Sequence, residues 1–184
     1  MLLIYTHHIS PRLQYIVEYL FFEVVKVHVK LTENKLEYEA YQSPKMAYTP
    51  QIEPQGAWLY ASKLLFETHI NQEIPATNET IWGKAFFISP QPQSIAPFDV
   101  FAACFWLVSR YEEYIIQHKD RHNRFDYRQS WAFKNQLLHI PLVNLWTQKL
   151  LDQLKNIYPE LEIAKSKYTS ILTFDIDNLF AFKG

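Results

Sequence analysis

The sequence predicts an α/β domain in which a mixed β-sheet packs against about three main helices. The main observation is a change of hydrophobic period along the chain, from two residues, typical of strands, to 3.6 residues, typical of helices. The chain has 184 residues, of which 48% are hydrophobic, so it is long and apolar enough to bury a core. Only 20% of the residues are charged, which indicates a folded chain rather than a disordered one.

Strand and helix patterns alternate near the amino terminus. Residues 2–6 are mostly apolar and suit a buried strand. Ser10 suits the N-cap of a helix, and Pro11 suits its first position. Apolar residues at helical spacing continue this predicted helix to residue 24. Residues 25–31 alternate apolar and polar side chains, and residues 35–41 do so again after a short turn, so two further strands are predicted.

Two long helical patterns dominate the second half of the chain. Residues 98–117 carry an apolar stripe that includes Phe105, and their first half is apolar on nearly all sides, as in a helix enclosed by its domain. Residues 141–157 carry a second stripe that includes Trp146. Three short strands are predicted between the prolines in the middle of the chain, at residues 46–49, 57–60 and 84–88.

Charge, glycine and cysteine content exclude several classes of function. Eighteen Lys and Arg residues balance nineteen Asp and Glu residues, so the composition provides no basic field for binding nucleic acid. The three glycines lie far apart, which excludes a P-loop, a dinucleotide-binding glycine turn and a G-x-S-x-G nucleophile elbow. The single cysteine, Cys104, excludes an internal disulfide and a cysteine-rich zinc site, and its apolar surroundings predict a core residue.

The amino terminus and the apolar runs predict a cytoplasmic protein without a membrane span. Residues 1–10 lack the basic start, apolar run and cleavage site of a signal peptide. The longest apolar stretch, residues 96–108, is interrupted by Asp99 and is shorter than the roughly 20 residues that cross a bilayer.

Two carboxylates follow a strand-like run near the carboxyl end. Residues 168–174 are predicted to form a strand, and Asp175 and Asp177 come directly after it. Because alternate side chains of an extended chain point to the same side, the two carboxylates can share a divalent metal or divide into a base and a ligand. Ordinary turn residues after a strand are the alternative. Since active sites of α/β folds lie at the carboxyl ends of strands, the sequence is expected to stop where a catalytic domain begins.

Residues 172–178 (L-T-F-D-I-D-N) resemble the first motif of the NodB-type polysaccharide deacetylases, whose common form is T-F-D-D-G. The resemblance implies that Asp175 is the general base and that Asp177 is a ligand of a divalent metal, zinc or similar, in a longer protein. Ile176 separates two acids that are adjacent in the common form, and Asn178 replaces a glycine. The family's later H-x-x-x-H motif has no counterpart after these residues, so this chain alone is expected to hold no cofactor and to be inactive.

A second resemblance covers residues 1–167. Residues 99–114, which include R-Y-E-E-Y, and residues 122–125 resemble a domain of unknown function that precedes such deacetylase domains in some bacterial proteins. The resemblance implies an amino-terminal α/β accessory domain at residues 1–167 and the first strand of a deacetylase domain at residues 168–184. The accessory domain would pack on the deacetylase domain, orient it or extend its substrate groove.

Three polar groups are further candidates for a site. His118 and His122 have the spacing of a zinc-binding pair on a helix, although the polar sequence around them is typical of a solvated loop. His7 and His8 follow the first strand, where either a site or a solvated turn is expected. The third group consists of charged side chains that bind either a polar ligand or one another: Asp99, Arg110, Glu112, Glu113, His122, Arg124 and Asp126.

These observations lead to three hypotheses. In the first, the chain is a non-catalytic amino-terminal domain of a polysaccharide-deacetylase-like protein, whose reaction, by resemblance, is metal-assisted removal of an acetyl group from a sugar. In the second, it is a carbohydrate-binding module that recruits substrate, because its twelve Tyr and five Trp residues provide for sugar stacking. In the third, it is a free-standing enzyme that uses the charged cluster around Arg110. The expected partners are the downstream deacetylase domain and, secondly, carbohydrate.

Overall fold

The computed structural model describes residues 1–115, 119–163 and 169–174. Four strands form a central sheet: β1 (Leu2–Tyr5), β2 (Val29–Thr32), β3 (Lys45–Thr49) and β4 (Ala57–Tyr60). All pairs are parallel, and the strand order is β2-β1-β3-β4. A separate antiparallel ribbon consists of two short strands, β5 (Asn78–Thr80) and β6 (Gly83–Ala85).

The described residues contain six α-helices. They are α1 (Pro11–Glu18), α2 (Lys35–Ala40), α3 (Val100–Val108), α4 (Glu112–Ile115), α5 (Trp131–Lys134) and α6 (Leu142–Ile157). A π-helix over Tyr19–Val24 continues α1, and 3₁₀ turns lie at Leu64–Phe66 and Tyr127–Gln129. The predicted α/β class is therefore confirmed, with α1, α3 and α6 as the three main helices. None of the helices in the described ranges is long and apolar enough to cross a membrane.

Successive residues of the strands face two separate cores. Leu2 and Ile4 of β1 point into a large core, which they share with buried residues of α1, α3 and α6. Leu3 of β1 and Trp58 of β4 point to the opposite side, where Tyr38 of α2 closes a smaller core. Coverage on both faces explains why the strands are apolar along nearly their whole length, as is usual in parallel sheets.

The connections of the sheet diverge between β1 and β3. The chain leaves β1 through α1 towards β2, whereas it leaves β3 in the opposite direction towards β4. In open α/β sheets, ligands bind beyond the carboxyl ends of the strands near such a reversal of strand order. The topology therefore favours a ligand site at the edge of the sheet that follows Tyr5, Thr49 and Tyr60.

The predicted strand at residues 35–41 is wrong, because α2 occupies Lys35–Ala40. Asn34 is the N-cap of this helix, and its Oδ1 accepts a hydrogen bond of 3.2 Å from the backbone N–H of Glu37. Tyr38 is buried, but Leu36 is 76% exposed. A single apolar anchor is enough to hold this short helix, so the alternation of apolar and polar residues was not a sign of a half-buried strand.

Several other element boundaries differ from the prediction. The strand predicted at residues 25–31 begins only at Val29, because the chain turns through a left-handed conformation at Lys26 (φ 56°). The long helix predicted at residues 98–117 is divided into α3 and α4 by Arg110, which has a φ of 53°. Residues 169–174 form no strand with the rest of the described chain. The helix predicted at residues 141–157 is confirmed by α6.

Candidate functional site

A buried carboxylate, Asp99, connects three elements near the carboxyl ends of β3 and β4. Its Oδ1 accepts a hydrogen bond of 3.0 Å from the backbone N–H of Ala102, which makes Asp99 the N-cap of α3. Its Oδ2 accepts bonds from the hydroxyl of Tyr48 (2.8 Å) and from the backbone N–H of Ser62 (2.6 Å). Asp99 therefore fixes the position of α3 relative to the ends of two neighbouring strands.

Burial controls the ionisation of this group of residues. It raises the pKa of Asp99 above the ordinary value of 3.8, although hydrogen bonds from Ala102, Ser62 and Tyr48 oppose the shift. It also raises the pKa of Tyr48 well above its ordinary value, and the nearby negative charge of Asp99 adds to that effect. The Tyr48 hydroxyl consequently stays protonated and remains a hydrogen-bond donor to Asp99.

A cavity of about 450 Å³ lies next to Ser62, beyond the carboxyl end of β4. We call it the β4 cavity, and its lining includes Tyr60, Glu67, Asn71, Phe87 and Trp106. Burial, followed by the charge of Asp99, raises the pKa of Tyr60. The cavity thus combines aromatic rings, an amide and a carboxylate at the edge of the sheet where ligands of open α/β folds bind.

His7 and His8 lie at the carboxyl end of β1, beside the reversal of strand order. The ring of His7 lies 4.3 Å from the ring of Phe66, measured between centroids. Partial burial and then the neighbouring His8 lower the pKa of His7, while Glu33 partly offsets the shift. Nδ1 of His8 lies 3.4 Å from a carboxylate oxygen of Glu33. Across the described ranges, no three His, Cys, Asp or Glu side chains are grouped to hold a metal ion.

The first half of the predicted charged cluster lies around α4. Arg110 forms an ion pair with Glu113, and its side chain is 71% exposed. Glu112 points elsewhere, and its Oε2 accepts a hydrogen bond of 2.8 Å from the backbone N–H of Trp131. Burial raises the pKa of Glu112, which that hydrogen bond partly offsets. These contacts connect α4 to α5.

The second half of the cluster lies in the loop of residues 119–126. The backbone N–H of His122 donates to Oδ1 of Asp120 (2.8 Å), and the guanidinium of Arg124 donates to Oδ2 (3.0 Å). Hydrogen bonds from Arg124 and His122 lower the pKa of Asp120, the backbone bond from Arg124 contributing most. His122 also accepts a bond from Arg121. The contacts found among the described residues do not join His122 and Arg124 to the α4 group.

Three predicted site residues lie outside the described residues: Asp175, Asp177 and His118. The roles that the resemblance implies for the two aspartates therefore remain predictions. Sequence reasoning missed two residues of the β4 cavity, Glu67 and Trp106. Glu67 lies in the proline-punctuated region where the hydrophobic pattern is weak, and Trp106 lies in a helical segment that is apolar on nearly all sides, which suggested only a core role.

The topology and the β4 cavity define an open, doubly wound α/β domain with a potential ligand site at the carboxyl edge of its sheet. The chain belongs to a family of unknown function (DUF7033), and the match covers residues 2–159. This is consistent with the predicted amino-terminal domain of unknown function. No curated protein and no solved structure matches the chain.

Proposed function

We propose that this chain is the non-catalytic amino-terminal domain of a polysaccharide-deacetylase-like protein and that it positions the catalytic domain that follows it. The observation that carries the proposal is the exposure of three apolar side chains just before the aspartate pair. Ile171, Leu172 and Phe174 are 78%, 83% and 84% exposed. The family match ends at residue 159, before this segment, which supports its assignment to a different structural unit.

The exposed segment has the composition of a strand that is covered on both faces. Residues 171–174 (I-L-T-F) are apolar at neighbouring as well as alternate positions, as in strands of buried parallel sheets. Burying a large apolar side chain stabilises a fold by about 1.5–3 kcal/mol. A second domain that adds this segment to its own sheet would gain that stabilisation and would be linked to residues 1–159 through residues 160–170.

The aspartate pair gives the proposed second domain its chemistry. By the resemblance, Asp175 would accept a proton as general base, and Asp177 would help to hold a divalent metal such as zinc. A catalytic metal site of this kind has about three protein ligands and an open position. Two carboxylates do not provide that set, so the remaining ligands are expected in the longer protein, and residues 1–184 alone are expected to show no turnover.

The test compares the full-length product of the gene with residues 1–184. Both are assayed for acetate release from chitooligosaccharide and acetylated xylan, with zinc, cobalt or nickel added. The full-length protein is expected to be active, and Asp175→Asn and Asp177→Asn are each expected to abolish its activity. Asp152→Asn, an exposed carboxylate on α6, is the matched control and should leave the activity unchanged.

Two results would contradict the proposal. Metal-dependent turnover by residues 1–184 that is lost in Asp175→Asn would mean that this chain is itself catalytic. An active full-length protein that is indifferent to both aspartate substitutions would mean that the motif assignment is wrong.

A further inference from the structure

Three buried polar atoms in residues that line the β4 cavity lack hydrogen-bond partners. They are Oγ of Ser62, Oε2 of Glu67, which can only accept when ionised, and Nε1 of Trp106, which can only donate. None of the three has a partner among the described residues, and Trp106 is only 2% exposed. Buried polar groups in folded proteins are nearly always paired, because leaving one unpaired costs its full desolvation. These unpaired groups in the lining of one cavity can be completed by a bound molecule that offers both hydrogen-bond donors and acceptors.

The backbone beside the cavity is strained. Phe87, which lines the cavity, has a φ of 59°, a left-handed conformation that bulky side chains rarely adopt. Such strain persists only where surrounding contacts enforce it, and it is concentrated at ligand and active sites. Here the backbone O of Phe87 accepts a hydrogen bond of 2.9 Å from the N–H of Asp99, so the buried Asp99 group holds this wall of the cavity in place.

The part of the cavity lining around Asn71 and Trp106 is also held in a fixed arrangement. The backbone N–H of Asn71 donates to the hydroxyl of Tyr111 (2.8 Å), whose ring lies 4.8 Å from the ring of Trp106. The side-chain amide of Asn71 donates to Oε1 of Glu67 (3.2 Å). One carboxylate oxygen of Glu67 is thus engaged and the other is unused. Because the terminal torsion of a glutamate is soft, a small rotation can turn Oε2 towards a ligand.

We propose that the β4 cavity binds a neutral sugar, with Glu67 and Trp106 as its polar contacts. A sugar hydroxyl donates one hydrogen bond and accepts another, so adjacent hydroxyls can donate to Oε2 of Glu67 and accept from Nε1 of Trp106. The C–H faces of the sugar ring pack against Tyr60 and Phe87. A cavity of about 450 Å³ is within the usual size of small-molecule sites. This inference goes beyond the positioning role and does not depend on which domain follows.

Nitrogen-15 NMR of residues 1–184 tests the proposal through the indole N–H signals of the five tryptophans. The signal of Trp106 is assigned by its disappearance in Trp106→Phe, or from backbone-linked spectra if that variant does not fold. D-glucose, D-mannose, D-xylose and their disaccharides are then titrated into the millimolar range. At least one of them is expected to shift the Trp106 signal in a saturable way. Glu67→Gln is expected to weaken that binding about tenfold or more, because it removes a charge-assisted acceptor.

Two matched variants separate the cavity from the rest of the surface. Asp152→Asn alters an exposed carboxylate on α6 that does not line the cavity, and Trp82→Phe alters a tryptophan outside it. Both are expected to bind the sugar as the unchanged chain does. The proposal is overturned if no sugar moves the Trp106 signal or if Glu67→Gln binds equally well. A free amino acid that shifts this signal when no sugar does would overturn the sugar assignment.

Discussion

The hydroxyl of Tyr48 donates a hydrogen bond of 2.8 Å to Oδ2 of Asp99 in the interior of the domain. Tyr48 lies on β3 and Asp99 begins α3, and both residues are completely buried. The bond therefore joins the sheet to the main buried helix through two polar groups that water does not reach.

Replacing Tyr48 by Phe tests how much this bond contributes to stability. Asp99 would keep its two backbone donors but would lose the third, so its buried charge would be less well compensated. We expect a loss of about 1–3 kcal/mol in the free energy of unfolding, measured by urea denaturation at neutral pH. Tyr114→Phe, at a tyrosine that is 62% exposed, is the control and should change stability by less than about 0.5 kcal/mol. Equal stabilities of the two variants would contradict the prediction.

The raised pKa of Asp99 predicts that stability depends on pH. The unfolded chain releases this proton near the ordinary value of 3.8, whereas the folded chain keeps it to a higher pH because burial raises the pKa. Below 3.8 both states are protonated and the contribution of Asp99 is complete. It is lost as the pH rises through the folded pKa, since the unfolded state then binds fewer protons than the folded one.

Asp99→Asn removes this titration while keeping an oxygen that can cap α3. The decline in stability with rising pH should therefore be smaller in Asp99→Asn than in the unchanged chain. Urea unfolding midpoints measured from about pH 4 to about pH 8 check the difference. Asp152→Asn, at an exposed carboxylate, should retain the decline. Parallel pH profiles for Asp99→Asn and the unchanged chain would show that Asp99 does not titrate in this range.

The period of the apolar residues along the sequence correctly predicted the elements that make many contacts with the core. In α6, four positions of the predicted stripe (Trp146, Leu150, Leu151 and Leu154) are buried, whereas Leu145 is 45% exposed and Val143 is only partly buried. The period failed for α2, where only Tyr38 is buried and the N-cap Asn34 decides the conformation. A short element with a single buried side chain has too few apolar positions to show whether their period is two residues, as in a strand, or 3.6 residues, as in a helix.

The candidate site was less predictable than the fold. Asp99 was visible as an acid next to an apolar helix, but its partners Tyr48 and Ser62 are separated from it by 51 and 37 residues. Glu67 and Trp106 likewise come together only through the tertiary structure. Contacts of this kind depend on how the sheet and α3 pack, which spacing within one segment does not reveal.

Two glycines with positive φ allow the stability cost of backbone strain to be measured separately from the cost of steric crowding. Gly56 (φ 77°) has no room for a side chain, because a Cβ would lie 2.9 Å from the hydroxyl of Tyr158 and 3.0 Å from that of Tyr38. Gly83 (φ 97°) faces open space. Gly83→Ala should cost about 1 kcal/mol for the left-handed backbone alone, and Gly56→Ala should cost about 2–3 kcal/mol. Denaturant unfolding checks both, and equal costs would mean that the two tyrosines move aside freely.

Truncation of Phe105 tests the packing of α3 against α1. Its ring lies edge-on to that of Tyr15 at 6.4 Å, and the guanidinium of Arg12 lies 5.8 Å from its centroid. Phe105 is 9% exposed. Phe105→Ala should lower the free energy of unfolding by about 3 kcal/mol, the lower end for a buried aromatic residue. A loss below about 1 kcal/mol in a urea melt would show that this end of α3 packs loosely.

Trp146 of α6 is expected to be the most sensitive position of the large core. It is 1% exposed, and its ring lies 5.0 Å from that of Phe98 and 6.2 Å from that of Phe86. Trp146→Ala removes a large side chain from the centre of this aromatic group, so both burial and ring contacts are lost and a cavity remains. The expected loss is about 4–5 kcal/mol in the free energy of unfolding.

Leu145→Ala, at the neighbouring position of the same helix, is the control, because Leu145 is 45% exposed. It should cost less than about 1 kcal/mol. Similar losses in the two variants would mean that α6 is rotated relative to the structure described, with Leu145 rather than Trp146 facing the core.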